Sequence, residues 1–184
     1  MNLAEKIAAA YLRLNGFLLL PHFTVFDGVC HGHLDLVGLR APGSKEESGD
    51  ITFPVDDKFF GAIKANVCTN PRDSLLGVVA EVRTNRSVDE PKVEQQDYVT
   101  VFLGGASVVP VAFFESMAEP IWPDRCLKVG NVYALKWIIE RIQFMDKNHR
   151  KLTKSGSWPW SDDALADLMV LHRYGAVGLP AEAP

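Results

Sequence analysis

Apolar residues recur at helical spacing from the start of the chain. Leu3, Ile7, Tyr11 and Leu14 share one face, so the pattern predicts a helix over Asn2–Leu14. Asn2 suits the N-cap, with Glu5 three residues on as in a capping box, and Asn15-Gly16 forms a stop. Phe17–Phe26 is aromatic and aliphatic and reads as a strand interrupted near Pro21, followed by an Asp27-Gly28 turn. His33–Arg40 reads as a second strand whose Leu34, Leu36, Val37 and Leu39 fall on both sides, as in a strand covered on both faces. Ala41–Asp50 is a polar loop, and Asp57–Ala65 can form a short helix with Phe59, Phe60 and Ile63 on one side.

Leu75–Val82 is a strong strand, and Ser87–Pro91 a turn. Lys92–Leu103 reads as a helix despite the β-branched run Val99-Thr100-Val101, and Ser107–Phe114 as a fourth strand. Pro120, Pro123 and Gly130 mark a connecting loop. Asn131–Met145 carries the clearest late stripe, through Leu135, Ile138, Ile139, Ile142 and Met145. Ser161 caps a last helix to about Tyr174, with Asp162 and Asp163 in its first turn, before a Gly/Pro/Ala-rich tail over 175–184. The order is helix, three strands, helix, strand, then helices. It predicts an α/β fold with a mixed sheet and helices on both sides.

Composition narrows the class. At 184 residues, 47% hydrophobic and 23% charged, the chain suits one globular domain over 1–174 rather than a disordered segment. Its net charge of -4 argues against tight binding of nucleic acid through global charge, and leaves a local basic groove open. Cys30, Cys68 and Cys126 form no CxxC pair, which points to free thiols rather than a zinc or redox motif. No secretory signal pattern is present and the apolar run Phe17–Leu20 is too short to span a bilayer, so the expected setting is cytoplasmic with no membrane partner.

The residues with chemistry come in a pattern. A helix bearing Glu5 precedes Gly16-Phe17-Leu18-Leu19; then come His33-Leu34-Asp35-Leu36-Val37-Gly38 and Val78-Val79-Ala80-Glu81-Val82-Arg83-Thr84-Asn85. Over 1–115 this pattern resembles the PD-(D/E)xK, or restriction-endonuclease-like, nuclease superfamily, in particular its small resolvase-like members. The resemblance implies an α-β-β-β-α-β core, with an insertion over 41–74 and a C-terminal helical extension over 131–174. It implies that Asp35, Glu81 and the Val82 carbonyl hold Mg²⁺ or Mn²⁺, with Glu5 as a helix-borne additional acid. It also implies that Asp35, Glu81 and Arg83 act on DNA phosphodiesters. Arg83 stands where the superfamily carries lysine. Arginine supplies charge and a phosphate fork but gives up no proton. The same fold can also serve as an inactive scaffold for a protein or nucleic-acid partner.

Each candidate has a plainer alternative. Asp35 sits within an apolar strand, where a bare acid is costly without a partner or metal. Glu81 can instead pair with Arg83 or Arg86 at a strand end, and Glu5 can simply cap its helix. Asp56-Asp57 is a rival acid pair in a turn-like context that reads as solvated. In a regular strand His31, His33 and Asp35 would share a face, which makes a metal cluster geometrically open. Arg83, Arg86 and Lys92 form a basic group able to follow a phosphate backbone, and Gln95 and Gln96 on the next helix could join it. Lys147–Lys154 is a second basic run, and Trp158-Pro159-Trp160 could stack on bases or fold back on its own domain.

Overall fold

A computed structural model of the protein describes residues 1–26, 31–44, 47–48 and 51–152. The Asp27-Gly28 turn, Cys30, the helix expected after Ser161, the Trp158-Pro159-Trp160 segment and the tail lie outside the described residues, as does the end of the Lys147–Lys154 run.

The first helix, α1 (Leu3–Leu14), has the expected capping box: Glu5 N–H donates to Asn2 Oδ1 at 3.0 Å and Asn2 N–H donates to Glu5 Oε2 at 3.1 Å. Strands β1 (Leu18–Phe26) and β2 (His31–Arg40) follow as an antiparallel pair. A small hairpin, β3 (Glu47–Ser48) and β4 (Ile51–Thr52), and helix α2 (Asp57–Asn66) fill the insertion. The chain then runs through β5 (Leu76–Val82), α3 (Val93–Phe102), β6 (Ser107–Phe114), β7 (Leu127–Gly130) and α4 (Asn131–Leu152).

Together they make an α/β fold in which a five-stranded mixed sheet, ordered β1-β2-β5-β6-β7, is flanked by four helices. β1, β2 and β5 are antiparallel neighbours, while β5, β6 and β7 run parallel. Helix α3 is the crossover between β5 and β6, the connection that parallel neighbours require. The loop expected around Pro120 and Pro123 contains a strand: β7 pairs Leu127 with Val111 and Phe113 with Val129. Its last residue, Gly130, runs so close to the preceding loop that a Cβ there would sit 2.3 Å from the Ser116 carbonyl oxygen.

Two apolar clusters cover the two faces of the sheet. Val78, Ala80 and Val82 of β5 belong to the larger one, with α1, Phe59, Phe60 and Ile63 of α2, and Ala134, Ile138 and Ile142 of α4. Val79 belongs to the smaller one, with Val99 of α3, Val25, Leu34 and Val37. Adjacent strand residues point to opposite faces, so α1, α2 and α4 lie on one side and α3 on the other.

Asp56 corrects the expectation of a solvated acid pair. It is buried, and its Oδ2 accepts from Tyr11 Oη at 2.6 Å and Tyr133 Oη at 2.9 Å. Its Oδ1 caps α2 by accepting from Lys58 N–H at 2.9 Å, and its own N–H donates to Asn15 Oδ1 at 2.7 Å. Burial first, then the Asp56 charge, pushes both tyrosine hydroxyls well above the usual phenol range. Only Asp57 is exposed, paired with Arg72. Buried Arg40 closes the other end of the insertion. It donates through Nε to the Asn15 carbonyl at 3.2 Å and through Nη1 to the Arg72 carbonyl at 2.9 Å, with its guanidinium 4.9 Å from the Phe60 ring centre. The insertion is thus built into the α1 face.

Candidate functional site

The β2–β5 ladder ends at Leu36 opposite Ala80, whereas the β5–β6 ladder continues to Val82 opposite Phe113. The last two residues of β5 therefore have no backbone partner on the β2 side. Asp35 and Glu81 are the pair that would come next in register, near enough for the Asp35 charge to act on the Glu81 carboxyl.

Asp35 takes part in closing that end. Its Oδ2 accepts from Val82 N–H at 2.7 Å. The next amide, Arg83 N–H, donates the other way, to the Phe113 carbonyl on β6 at 2.9 Å. Successive amides of a strand alternate sides, so the Asp35 carboxylate stands where a continued ladder would place a β2 carbonyl. A carboxylate accepting a backbone N–H is held in a charge-assisted bond.

Glu81 is half-buried at the end of an otherwise buried strand. Its carboxyl is pushed up to about 7, first by burial and then by the Asp35 charge; Arg83 and Lys92 pull it down and Asp89 adds to the rise. Alternation from Val79 puts Glu81 on the α3 face, which agrees with the influence on it of Asp89, in the loop before that helix, and Lys92, at its N-cap. A half-buried acid perturbed by a second acid is the kind of pair that marks functional sites.

Arg83 does not close onto the two acids. Its Nε donates to Asp89 Oδ2 at 2.8 Å, and its side chain is 43% exposed. Its backbone carbonyl accepts from Asn131 Nδ2 at 2.9 Å, which ties the exit of β5 to the start of α4. Lys92 is exposed at the N-terminus of α3, where its N–H donates to the side chain of buried Gln95 at 3.0 Å. Gln95 lies over Gly32 of β2 so closely that a Cβ there would come 2.6 Å from Gln95 Nε2. Gln96 turns back to donate to the Pro91 carbonyl at 2.8 Å. Arg86 lies further out, lining a cavity of about 390 Å³ with Phe114, Glu115, Ser116, Met117 and Val132.

Asp35, Glu81, Arg83, Lys92 and Gln95 thus gather at one end of β2, β5 and α3. Glu5 is engaged elsewhere: besides the capping box, its Oε2 lies 3.8 Å from the N-terminal amine and 3.9 Å from His22 Nε2. The common face expected for His31, His33 and Asp35 is not kept, because alternation along β2 breaks at Asp35: Leu34 and Leu36 pack on opposite sides of the sheet. The His33 ring lies 3.2 Å from Thr24 Oγ1, and the side chain of His31 lies outside the described residues.

Two residues beside the site were not singled out by the sequence pattern: Asp89 sat inside a turn signal, and Asn131 reads as the first residue of a helix. Among the described residues no group of three or more His, Cys, Asp or Glu side chains lies close enough to hold a metal ion. The Asp35 and Glu81 carboxylates supply two protein oxygens of the hard kind that Mg²⁺ and Mn²⁺ take, and backbone carbonyl and water oxygens would complete a shell. Among the described residues no helix is long and apolar enough to cross a membrane. Comparison with protein-family models, curated proteins and solved structures finds no match for this chain.

Proposed function

We propose that the protein is a metal-dependent nuclease-like protein acting on DNA, with a restriction-endonuclease-like core. Its site is the open end of the β2–β5 ladder. The observation that carries this reading is the placement of Asp35 and Glu81 at adjoining positions where the ladder ends, with the Glu81 carboxyl raised to about 7 by burial and by Asp35. Two acids forced together at low solvent exposure are stabilised by a cation between them. The element order α1, β1, β2, β5, α3, β6 also follows the core that the sequence motifs imply, with the β3–β4–α2 insertion placed between its second and third strands.

In this reading Asp35, Glu81 and the Val82 carbonyl hold Mg²⁺ or Mn²⁺. When bound, the cation acidifies a water and offsets charge on phosphate oxygens. The Asp35–Val82 hydrogen bond fixes one ligand relative to the other, since Val82 follows Glu81 directly. Arg83 and Lys92 attract the phosphodiester. Arg83 must exchange its Asp89 partner for phosphate, which its fork can grip through two donors. Arg86 extends the basic track, and Gln95 holds the start of α3 against β2.

A second reading, a scaffold that binds a nucleic-acid or protein partner without cutting, is favoured by one observation: the Arg83–Asp89 pair occupies the cation that catalysis would use. Cleavage of labelled single-stranded, duplex and branched DNA in Mg²⁺, Mn²⁺ and EDTA separates the two. Metal-dependent cleavage that disappears in Glu81→Gln supports the nuclease. Metal-independent binding by folded protein, with no cleavage above the Glu81→Gln level, moves the assignment to the scaffold.

A further inference from the structure

His22 has φ of 52°, and it is the one non-glycine residue with positive φ among the described residues. It lies in the middle of β1, where an extended backbone is the rule. The left-handed region is costly for any residue with a Cβ, and histidine is among the types that tolerate it best. Such strain persists only where the surrounding structure imposes it.

The place where it occurs is informative. β1 and β2 pair continuously except for a single step: Pro21 faces Leu36 and Phe23 faces Leu34, and the pair between them, His22 with Asp35, is missing from the ladder. At that same step β2 reverses its facing, since Leu34 packs with Val79 and Val99 while Leu36 packs with Ala80 and Val82. Two residues apart in a regular strand would share a face. Asp35 is the residue at which the reversal happens, and its carboxylate reaches across to Val82 N–H at 2.7 Å instead of standing over a face. His22, Asp35 and Glu81 thus fall in one row across β1, β2 and β5. The His22 side chain is 57% exposed and its Nε2 lies 3.9 Å from Glu5 Oε2, so ring packing does not account for the backbone.

We infer that His22 is a positioning residue for the candidate site: its left-handed backbone lets β1 follow the reversal in β2 that turns Asp35 out of alternation and onto the Val82 amide. The role belongs to the backbone, and the imidazole is secondary. The inference rests on Asp35 as a residue of the proposed site, but its mechanics require neither metal nor DNA.

The test is amide hydrogen exchange, residue by residue, on the full-length protein without metal, comparing His22→Gly, His22→Ala and His22→Val. Glycine accepts positive φ freely, alanine resists it and a β-branched residue resists it most. Val82 protection should equal or exceed wild type in His22→Gly, fall in His22→Ala and drop at least tenfold in His22→Val, with Ala80 unchanged. Asp35→Ala should also lose Val82 protection, as the reference for a broken bond. Should His22→Val fail to fold, His22→Ala against His22→Gly carries the comparison. Equal Val82 protection across the three variants overturns the inference, and so does its loss in His22→Gly, which would assign the role to the ring. Absence of nuclease activity in wild type would count against the proposed function and leave this exchange pattern as predicted.

Discussion

The Glu81 carboxyl titrates near 7 in the folded protein against 4.5 for the free side chain. Between those values the folded protein holds a proton that the unfolded chain has released. The stability this contributes is complete below pH 4.5, declines as pH rises towards 7 and is gone above it. For a half-buried group the loss is on the order of 1 kcal/mol once screening is allowed for. Urea unfolding of metal-free protein across this range should show the decline, and Glu81→Gln should flatten it. Asp89 acts on the same group and also holds Arg83. Asp89→Asn should free the guanidinium and tighten DNA binding by about threefold, consistent with the small worth of an exposed ion pair. Fluorescence anisotropy at fixed salt reads that change. Asp56 belongs to stability alone. Asp56→Ala strands the buried Tyr11 hydroxyl and the half-buried Tyr133 hydroxyl and removes the α2 cap, so it should cost about 3 kcal/mol in the same unfolding assay.

At the scale of elements, local signals read true where the chemistry is local. The capping box of α1, the apolar stripe of α4 and the strand β5 are all set by residues close to one another in sequence. β7 was not legible because Leu127–Gly130 is short, follows Pro120 and Pro123 closely and becomes a strand only by pairing with β6. The break expected near Pro21 falls at the next residue, His22, because proline on an edge strand keeps an extended φ whereas the reversal needs a left-handed one. Asp56 read as a polar turn because its partners, Tyr11 and Tyr133, are remote in sequence. Asp35 and Glu81 were legible as acids out of place in apolar strands; that Arg83 would turn to Asp89 was not. The β7–α4 junction gives its own prediction. Gly130→Ala forces a methyl into the Ser116 carbonyl, a backbone group unable to swing aside, and should destabilise by about 2–3 kcal/mol in thermal melts.

Across the whole molecule, the two faces of the sheet divide the work. The α1, α2 and α4 face holds the larger core, and the insertion joins it through Asp56 and Arg40. The α3 face has a smaller core, and beside it Glu81, Arg83 and Lys92 meet at the open end of the ladder. The insertion therefore reinforces the fold from the far side of the sheet from Glu81. The chain is acidic overall, at -4, so attraction for DNA calls for a local basic group such as this one. Lys92→Ala and Arg86→Ala should each weaken DNA binding similarly across sequences and reduce the salt slope by about 1.

The proposed function depends on Asp35 and Glu81 acting together as a cation site. The most direct test is a calorimetric titration of Mn²⁺ into metal-free protein at a pH above 7, alongside Asp35→Asn and Glu81→Gln, with circular dichroism establishing that each is folded. Saturable binding in wild type that is lost in both variants is the predicted result. Binding that is unchanged in the variants, or no binding by folded wild type at millimolar Mn²⁺, would contradict it.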